Sequence, residues 1–289
     1  MTDLHAHIPV RSLWGYAWLR LKRNRAAMTG AVLLALIAAA CIVGPWLLSH
    51  ELDAVDWDHI QSPPSLASEH ILGTDANGRD LLVRILHGGR VSLAIGLAAT
   101  LVAVVIGIAW GATAGYAGGR WDGFMMRFVD VLYALPFMFF VILLMVFFGR
   151  DIYLLFIALG AVSWLDMARI VRGQTISLKY KDFVLAARAM GTPPLRLVTR
   201  HIVPNALGPV AVFATLTVPQ VILYESFLSF LGLGVQEPMT SWGVLISEGA
   251  QLMESAPWML IAPATFLTLT LFCLNFVGDG LRDALDPRG

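Results

Sequence analysis

The chain has 289 residues, 57% of them apolar and only 14% charged, with 20 basic and 20 acidic side chains. Soluble domains carry about 25% charged residues, so the composition turns away from a soluble protein. Zero net charge leaves no electrostatic footprint for nucleic acid.

A membrane crossing needs about 20 apolar residues. Six stretches qualify: Thr29–Leu48, Val91–Tyr116, Val129–Phe148, Ile152–Trp164 with an extension to Ile170, Ala206–Phe230 and Trp258–Gly278. Backbone polar groups in lipid must be satisfied within the chain, so the runs are read as helices. The short alternating segments of a membrane β-barrel are missing from the sequence. The fold class is therefore all-α, a polytopic membrane protein with about six transmembrane helices.

In chain order, residues 1–10 read as disordered. Residues 12–25 mix Trp14, Tyr16 and Trp18 with Arg20, Lys22, Arg23 and Arg25, which suits a helix lying at the cytoplasmic interface. The plainer alternative is a basic flank before a span. The first apolar run starts near position 29 at full span length, so it reads as a retained helix and not a cleaved signal. Residues 1–28 are thus expected as a cytoplasmic segment and 29–289 as the transmembrane domain.

The segment 49–90 is expected as an outside loop. It begins acidic, with Glu51, Asp53, Asp56, Asp58 and Glu69, and turns irregular at Pro63-Pro64. Asp75-Ala-Asn-Gly78 predicts a turn and residues 79–87 a short amphipathic helix. Residues 116–130 predict a return loop turning at Gly118-Gly119, with Asp122 and Arg127 as a candidate pair. Pro136 and Pro219 fall inside the third and fifth spans, where prolines kink helices and often border a moving pathway. Glu225 is an acid near the outer end of the fifth span, and intramembrane acids are candidate pathway residues.

The segment 171–205 is a polar, basic interruption between two apolar runs. Residues from Lys181 to Met190 are good helix formers, Gly191 can stop that helix, and Pro193-Pro194 suits the start of a second. Two short helices about a glycine turn make a compact knob. Phe183 and Leu185 are its candidate apolar anchors, with Lys181, Asp182, Arg188 and Arg196 around them.

With the N-terminus placed inside, 16 of the 20 Lys and Arg residues fall on that side and four, Arg79, Arg84, Arg90 and Arg150, on the other. The positive-inside rule then places both termini and the 171–205 segment in the cytoplasm. Cys41 and Cys273 sit in apolar spans and read as small buried hydrophobes.

Residues 182–204, DFVLAARAMGTPPLRLVTRHIVP, carry a resemblance. They are similar to the EAA loop of the permease subunits of bacterial ABC importers, with Ala186, Ala187, Gly191 and Pro204 at matching positions. Leu185 replaces the usual Glu and Val203 the usual Leu. Gly73, Thr74, Asp75, Gly78, Arg79 and Asp80 resemble an outside signature of the peptide and nickel permease branch. The segments 163–175, 225–238 and 278–288 also resemble that branch, closest to the C-type subunits of oligopeptide permeases.

The resemblance implies a type I importer permease fold in a bacterial inner membrane. It implies a heterodimer with a second homologous permease, two ATPase subunits or domains, and an extracytoplasmic substrate-binding protein. The EAA-type loop would dock on the ATPase. The outside loop is either a contact for the binding protein or a structural cap. Without the usual Glu, the loop either seats by apolar contact alone or leaves the polar contact to the sister subunit. Substrates implied are oligopeptides, with dipeptides or nickel chelates as the alternative within the family.

A phosphate-binding loop needs Gly-Lys-Ser/Thr, yet none of the three lysines, Lys22, Lys179 and Lys181, follows a glycine. No cofactor is therefore expected in this chain, and ATP and Mg are expected on the partner ATPase. His50-Glu51 starts like a zinc-protease motif, but the second histidine position holds Ala54. The histidines look scattered, so no metal site and no catalytic residues are expected. An ion-coupled secondary transporter is the further alternative. Such carriers show internal repeats and buried ion-binding charges, and here no repeat is visible.

Overall fold

The structure is a computed structural model and describes residues 13–149 and 152–285. The expected disorder at residues 1–10, Arg150 and the tail beyond residue 285 lie outside the described residues. Eleven α-helices make the described architecture, and no strand occurs among the described residues.

The elements follow one another as α1 (Leu13–Arg23), α2 (Arg25–Leu47), α3 (Leu81–Ala117), α4 (Gly119–Ala134), α5 (Phe137–Phe148) and α6 (Ile152–Lys179). Then come α7 (Asp182–Ala189), α8 (Pro194–Leu197), a π-helical turn at Val198–Ile202, α9 (Val203–Phe230), α10 (Trp242–Gln251) and α11 (Trp258–Leu285). Starts are set by local chemistry. Asn24 caps α2 by accepting from the Ala27 amide at 3.2 Å, and Asp80 caps α3 by accepting from Val83 at 2.8 Å.

Among the described residues, α2, α3, the continuous stretch Pro194–Phe230 and α11 are each long and apolar enough to cross a membrane. The pair α4 and α5 adds a crossing if it counts as one span bent by 80°. Packing supplies the direction of each. Gly107, Gly111 and Gly115 of α3 meet Met167, Ala168 and Thr175 of α6 in rising order, so the two helices run parallel. The chain between them must therefore return, and α4–α5 is that return. On α9, Ile222 lies beside Gly96 while Val210 clusters with Ala112, so α9 runs antiparallel to α3. The start of α2 lies beside the end of α11, where Gly280 abuts Ala27.

The glycines of α3 explain the tightness of the α3–α6 contact. A Cβ at Gly111 would collide with the Ala168 carbonyl, and one at Gly107 with Met167. Small residues four apart let membrane helices approach backbone to backbone. Large apolar side chains point outward on α2 (Leu36, Trp46), α3 (Leu101), α5 (Phe139, Phe147) and α11 (Phe272), as lipid contact requires.

Four expectations are corrected. Residues 116–130 are not a loop: only Gly118 separates α3 from α4, because two successive positive-φ glycines turn the chain at once. Residues 79–87 are not a separate helix: Asp80 caps and residues 81–87 form the first turns of the 37-residue α3. The third span is broken, since Pro136 cannot continue α4 and instead precedes α5. Asp122 pairs not with Arg127 but with Arg172 of α6, at 2.5 and 2.7 Å.

Candidate functional sites at the two ends and the middle of the bundle

At one end of the bundle, α7, α8 and the π-helical turn form the knob. Gly191 has φ +80° and ends α7: its amide donates to the Arg188 carbonyl at 3.0 Å, and Thr192 donates to Ala187 at 3.1 Å. Inside the knob, Val184, Ala187, Leu197 and Ile202 are buried against Tyr116 and Leu178. The Lys179 ammonium donates to the Tyr116 carbonyl at 2.5 Å, fastening the knob to the end of α3. The remaining EAA-type residues face outward. Lys181, Asp182, Phe183, Leu185, Ala186, Arg188, Gly191, Arg196 and Pro204 are all exposed, and Ala187 alone of the set is buried. Two outward residues were missed in the sequence. Met190 is 81% exposed and Leu195 is 77% exposed, flanking Gly191 on both sides. Their apolar character in a basic segment was the available signal.

At the opposite end, the loop from Leu48 to Asp80 folds over the helix ends. Thr74, Asp75 and Asp80 are buried, as are Gly73 and Gly78. Asp75 accepts from Arg79 Nε at 2.7 Å and from Arg84 at 2.6 Å. Arg84 also donates to Glu248 of α10 at 2.6 and 3.1 Å, and Arg79 to Glu237 at 3.1 Å. The Trp258 indole donates to the Thr74 carbonyl at 3.3 Å. Gly78 needs its left-handed φ, and a Cβ there would strike the Asp56 carbonyl. The outside signature is thus an internal clasp. Of residues 73–80 only Ala76 and Asn77 are exposed.

The same loop gathers His50, His59 and His70, which looked scattered in the sequence. Asp56 is hydrogen-bonded by His59 and by the Asp58 amide, which hold its carboxyl at about 2. Burial disfavours a charged His70, but hydrogen bonds to Asp80 and Asp56 outweigh it and raise its titration above the ordinary value.

In the middle, a cavity of about 280 Å³ opens between α4, α6 and α9. Its wall includes Tyr133, Pro136, Ser163, Asp166, Gln220 and Tyr224. Asp166 sits at the midpoint of α6, which continues to Lys179. Asp166 is half-buried and makes no hydrogen bond or ion pair with the described residues. Glu225 faces elsewhere. It is fully buried against α3, accepting from Ser229 at 2.6 Å and Ser92 at 3.2 Å, and does not line this cavity. Pro219 is likewise buried, and Pro136 alone of the three expected pathway residues reaches the cavity.

Residues 89–288, which hold α3 beyond its first turns, the cavity and the knob, match the family model of the binding-protein-dependent transport system inner membrane component. The chain belongs to this permease family. A second model, the N-terminal TM domain of oligopeptide transport permease C, matches residues 12–64. The clasp at 73–80 falls between the two matched stretches.

The permease is 55% identical to the oligopeptide transport system permease protein OppC of Haemophilus influenzae, covering 96% of this chain and 89% of that protein. It is 57% identical to OppC of Escherichia coli K12, over 96% and 92%. It is 44% identical to the dipeptide transport system permease protein DppC of Bacillus subtilis, over 94% and 85%. A solved inward-facing MetNI methionine ABC transporter chain superposes with a TM-score of 0.59 at 19% identity, covering 71% of this permease and 96% of that chain. That likeness shows the fold, the type I importer permease. The permease is thus a multi-pass inner-membrane transport subunit.

Proposed function

We infer that this permease forms part of an ATP-driven importer that carries oligopeptides into the cytoplasm. The observation that supports the substrate class is the identity of 55% and 57%, over 96% of this chain, to oligopeptide permeases of two organisms. Both termini and the knob face the cytoplasm, where the basic residues concentrate. The outer clasp faces the substrate-binding protein as a rigid platform. Its signature side chains hold the platform together, and partners meet only its exposed rim.

The knob docks on an ATPase subunit. Phe183, Leu185, Met190 and Leu195 seat in an apolar groove, and Lys181, Arg188 and Arg196 surround it. Leu185 in place of the usual glutamate fits a seat made by apolar contact. Because the π-helical turn joins the knob directly to α9, closure of an ATPase dimer moves α9 as a rigid lever. The cavity between α4, α6 and α9 is half of the pathway. A second homologous permease supplies the other half and covers that face. The unpaired Asp166 carboxylate is placed to meet the ammonium group of a passing peptide. Glu225 is a structural anchor between α3, α9 and α10.

Uptake by the complete complex, measured with peptides of increasing length, tests this. Tripeptides to pentapeptides should be transported best. Uptake confined to dipeptides or to a metal chelate would move the chain to a sister branch of the family.

A further inference from the structure

We propose that the outer loop holds a divalent transition-metal ion of the zinc class, bound by Asp56 Oδ2, His59 Nδ1 and His70 Nε2. The site rests on the loop geometry and stands apart from the identity of the transported substrate.

Three histidines from separate stretches of the loop come together. The ring centres of His50 and His70 are 4.7 Å apart, and those of His59 and His70 are 5.8 Å apart. Each is positioned by a different part of the fold. The His59 carbonyl accepts from the Thr74 hydroxyl, inside the clasp. His70 is 3% exposed and hydrogen-bonds Asp80, whose other oxygen caps α3.

The decisive detail is which nitrogen of His70 carries the proton. Asp80 Oδ2 lies 2.8 Å from His70 Nδ1. A carboxylate only accepts, so Nδ1 is the donor, and in the neutral ring Nε2 keeps its lone pair. That lone pair points at Asp56 Oδ2, 3.3 Å away, which is also an acceptor. His59 Nδ1 lies 2.8 Å from the same oxygen. Two electron-rich atoms facing each other require a cation between them, either a proton or a metal ion. The arrangement of Asp80, His70 and a free Nε2 is the carboxylate–histidine pair that orients metal-ligating imidazoles.

Geometry and chemistry narrow the ion. The three ligand atoms lie within 4.8 Å of one another. Tetrahedral zinc with bonds of about 2.0–2.1 Å places its ligands about 3.3 Å apart. Small movements of the exposed side chains reach that spacing. His59 is 51% exposed on its side chain and Asp56 36%, so the ion has an entry route and an open position for water. Two imidazoles and one carboxylate suit zinc, copper or nickel. Calcium and magnesium take oxygen ligands and are disfavoured. His50 groups with His70 and Asp80 instead, outside the proposed ligand set.

A bound ion would fasten residues 56–59 to His70 and, through Asp80, to the start of α3. The outer platform would then be ordered by metal as well as by the Asp75–Arg84–Glu248 clasp.

The test is zinc binding to the full chain in its purified complex, stripped with a chelator and carrying no histidine tag. His5 and His7 are replaced by alanine to remove other candidate ligands. Calorimetry should show one zinc per permease, and cobalt in its place should give the intense visible bands of a tetrahedral site. His59→Ala should weaken binding by at least about tenfold, and Asp80→Asn, acting through His70, by about 10- to 100-fold. His87→Ala should leave binding unchanged. His59 is half-exposed, so its loss tests the ligand role without unfolding the loop. No stoichiometric zinc in the parent complex, or equal binding in His59→Ala and Asp56→Asn, would overturn the site and leave a proton in it.

Discussion

Asp166 and Glu225 show why an acidic residue in a membrane helix has to be judged by its surroundings. Glu225 has two serine donors and no exposure, so it is satisfied within the protein. Asp166 has no partner among the described residues and borders a cavity. Asp166→Asn should leave folding and membrane insertion intact but raise the KM for peptide uptake by about tenfold. A charge-assisted hydrogen bond to a substrate ammonium contributes about 1.5–3 kcal/mol, which sets that scale. Unchanged uptake kinetics would remove Asp166 from the pathway. Gly191 makes the complementary case in the knob. A Cβ there meets open space, so the obstacle to substitution is φ +80° alone. Gly191→Val costs about 1–2 kcal/mol of backbone strain and should distort the turn. Insertion should be normal while peptide uptake falls several-fold, as read by immunoblot and transport assay. The sequence showed Gly191, Ala186 and Ala187 by their spacing. It put Asp166 near the end of its run, within the extension to Ile170, because hydrophobicity does not show that the helix continues to Lys179, held by Arg172 with Asp122 and Arg169 with Asp130.

At the scale of elements, the apolar runs located the helices but not their breaks or lengths. Hydrophobicity reports what lipid tolerates, whereas the ends depend on caps and turns. Capped by Asp80, α3 begins at Leu81, ten residues before its apolar run, because the capping carboxylate and buried contacts with α10 and α11 stabilise those first turns. The outer signature was legible as a motif and illegible as a structure, since its partners Glu237, Glu248 and Trp258 lie far along the chain. The histidine cluster was hidden for a different reason: His50, His59 and His70 follow no helix or strand period, and only the irregular fold of their own loop brings the rings together. The α3–α6 contact gives a prediction at this scale. Gly111→Leu would force the two helices apart where a Cβ already collides with backbone. Overpacking typically costs about 1–3 kcal/mol, and the tight backbone contact sets this site at the upper end. Thermal unfolding in detergent should fall clearly below that of the parent, whereas Gly123→Ala, where the neighbourhood is empty, should be close to neutral.

Across the whole molecule, the two ends of the bundle are built differently. One end is a clasp of paired charges around buried Asp75 and Arg84, suited to staying rigid. The other presents exposed apolar side chains on a small knob joined directly to α9, suited to being gripped and moved. A rigid outer cap and a movable inner handle fit a subunit whose energy comes from a partner. The measurement that tests this most directly is ATP hydrolysis by the complex in proteoliposomes, with the permease carrying Met190→Asp and Leu195→Asp compared with the parent. The account predicts an ATPase that copurifies with the parent and is stimulated by binding protein and oligopeptide, and loss of both in the double variant. An unchanged, fully stimulated ATPase in the double variant, or no ATPase with the parent, would contradict it.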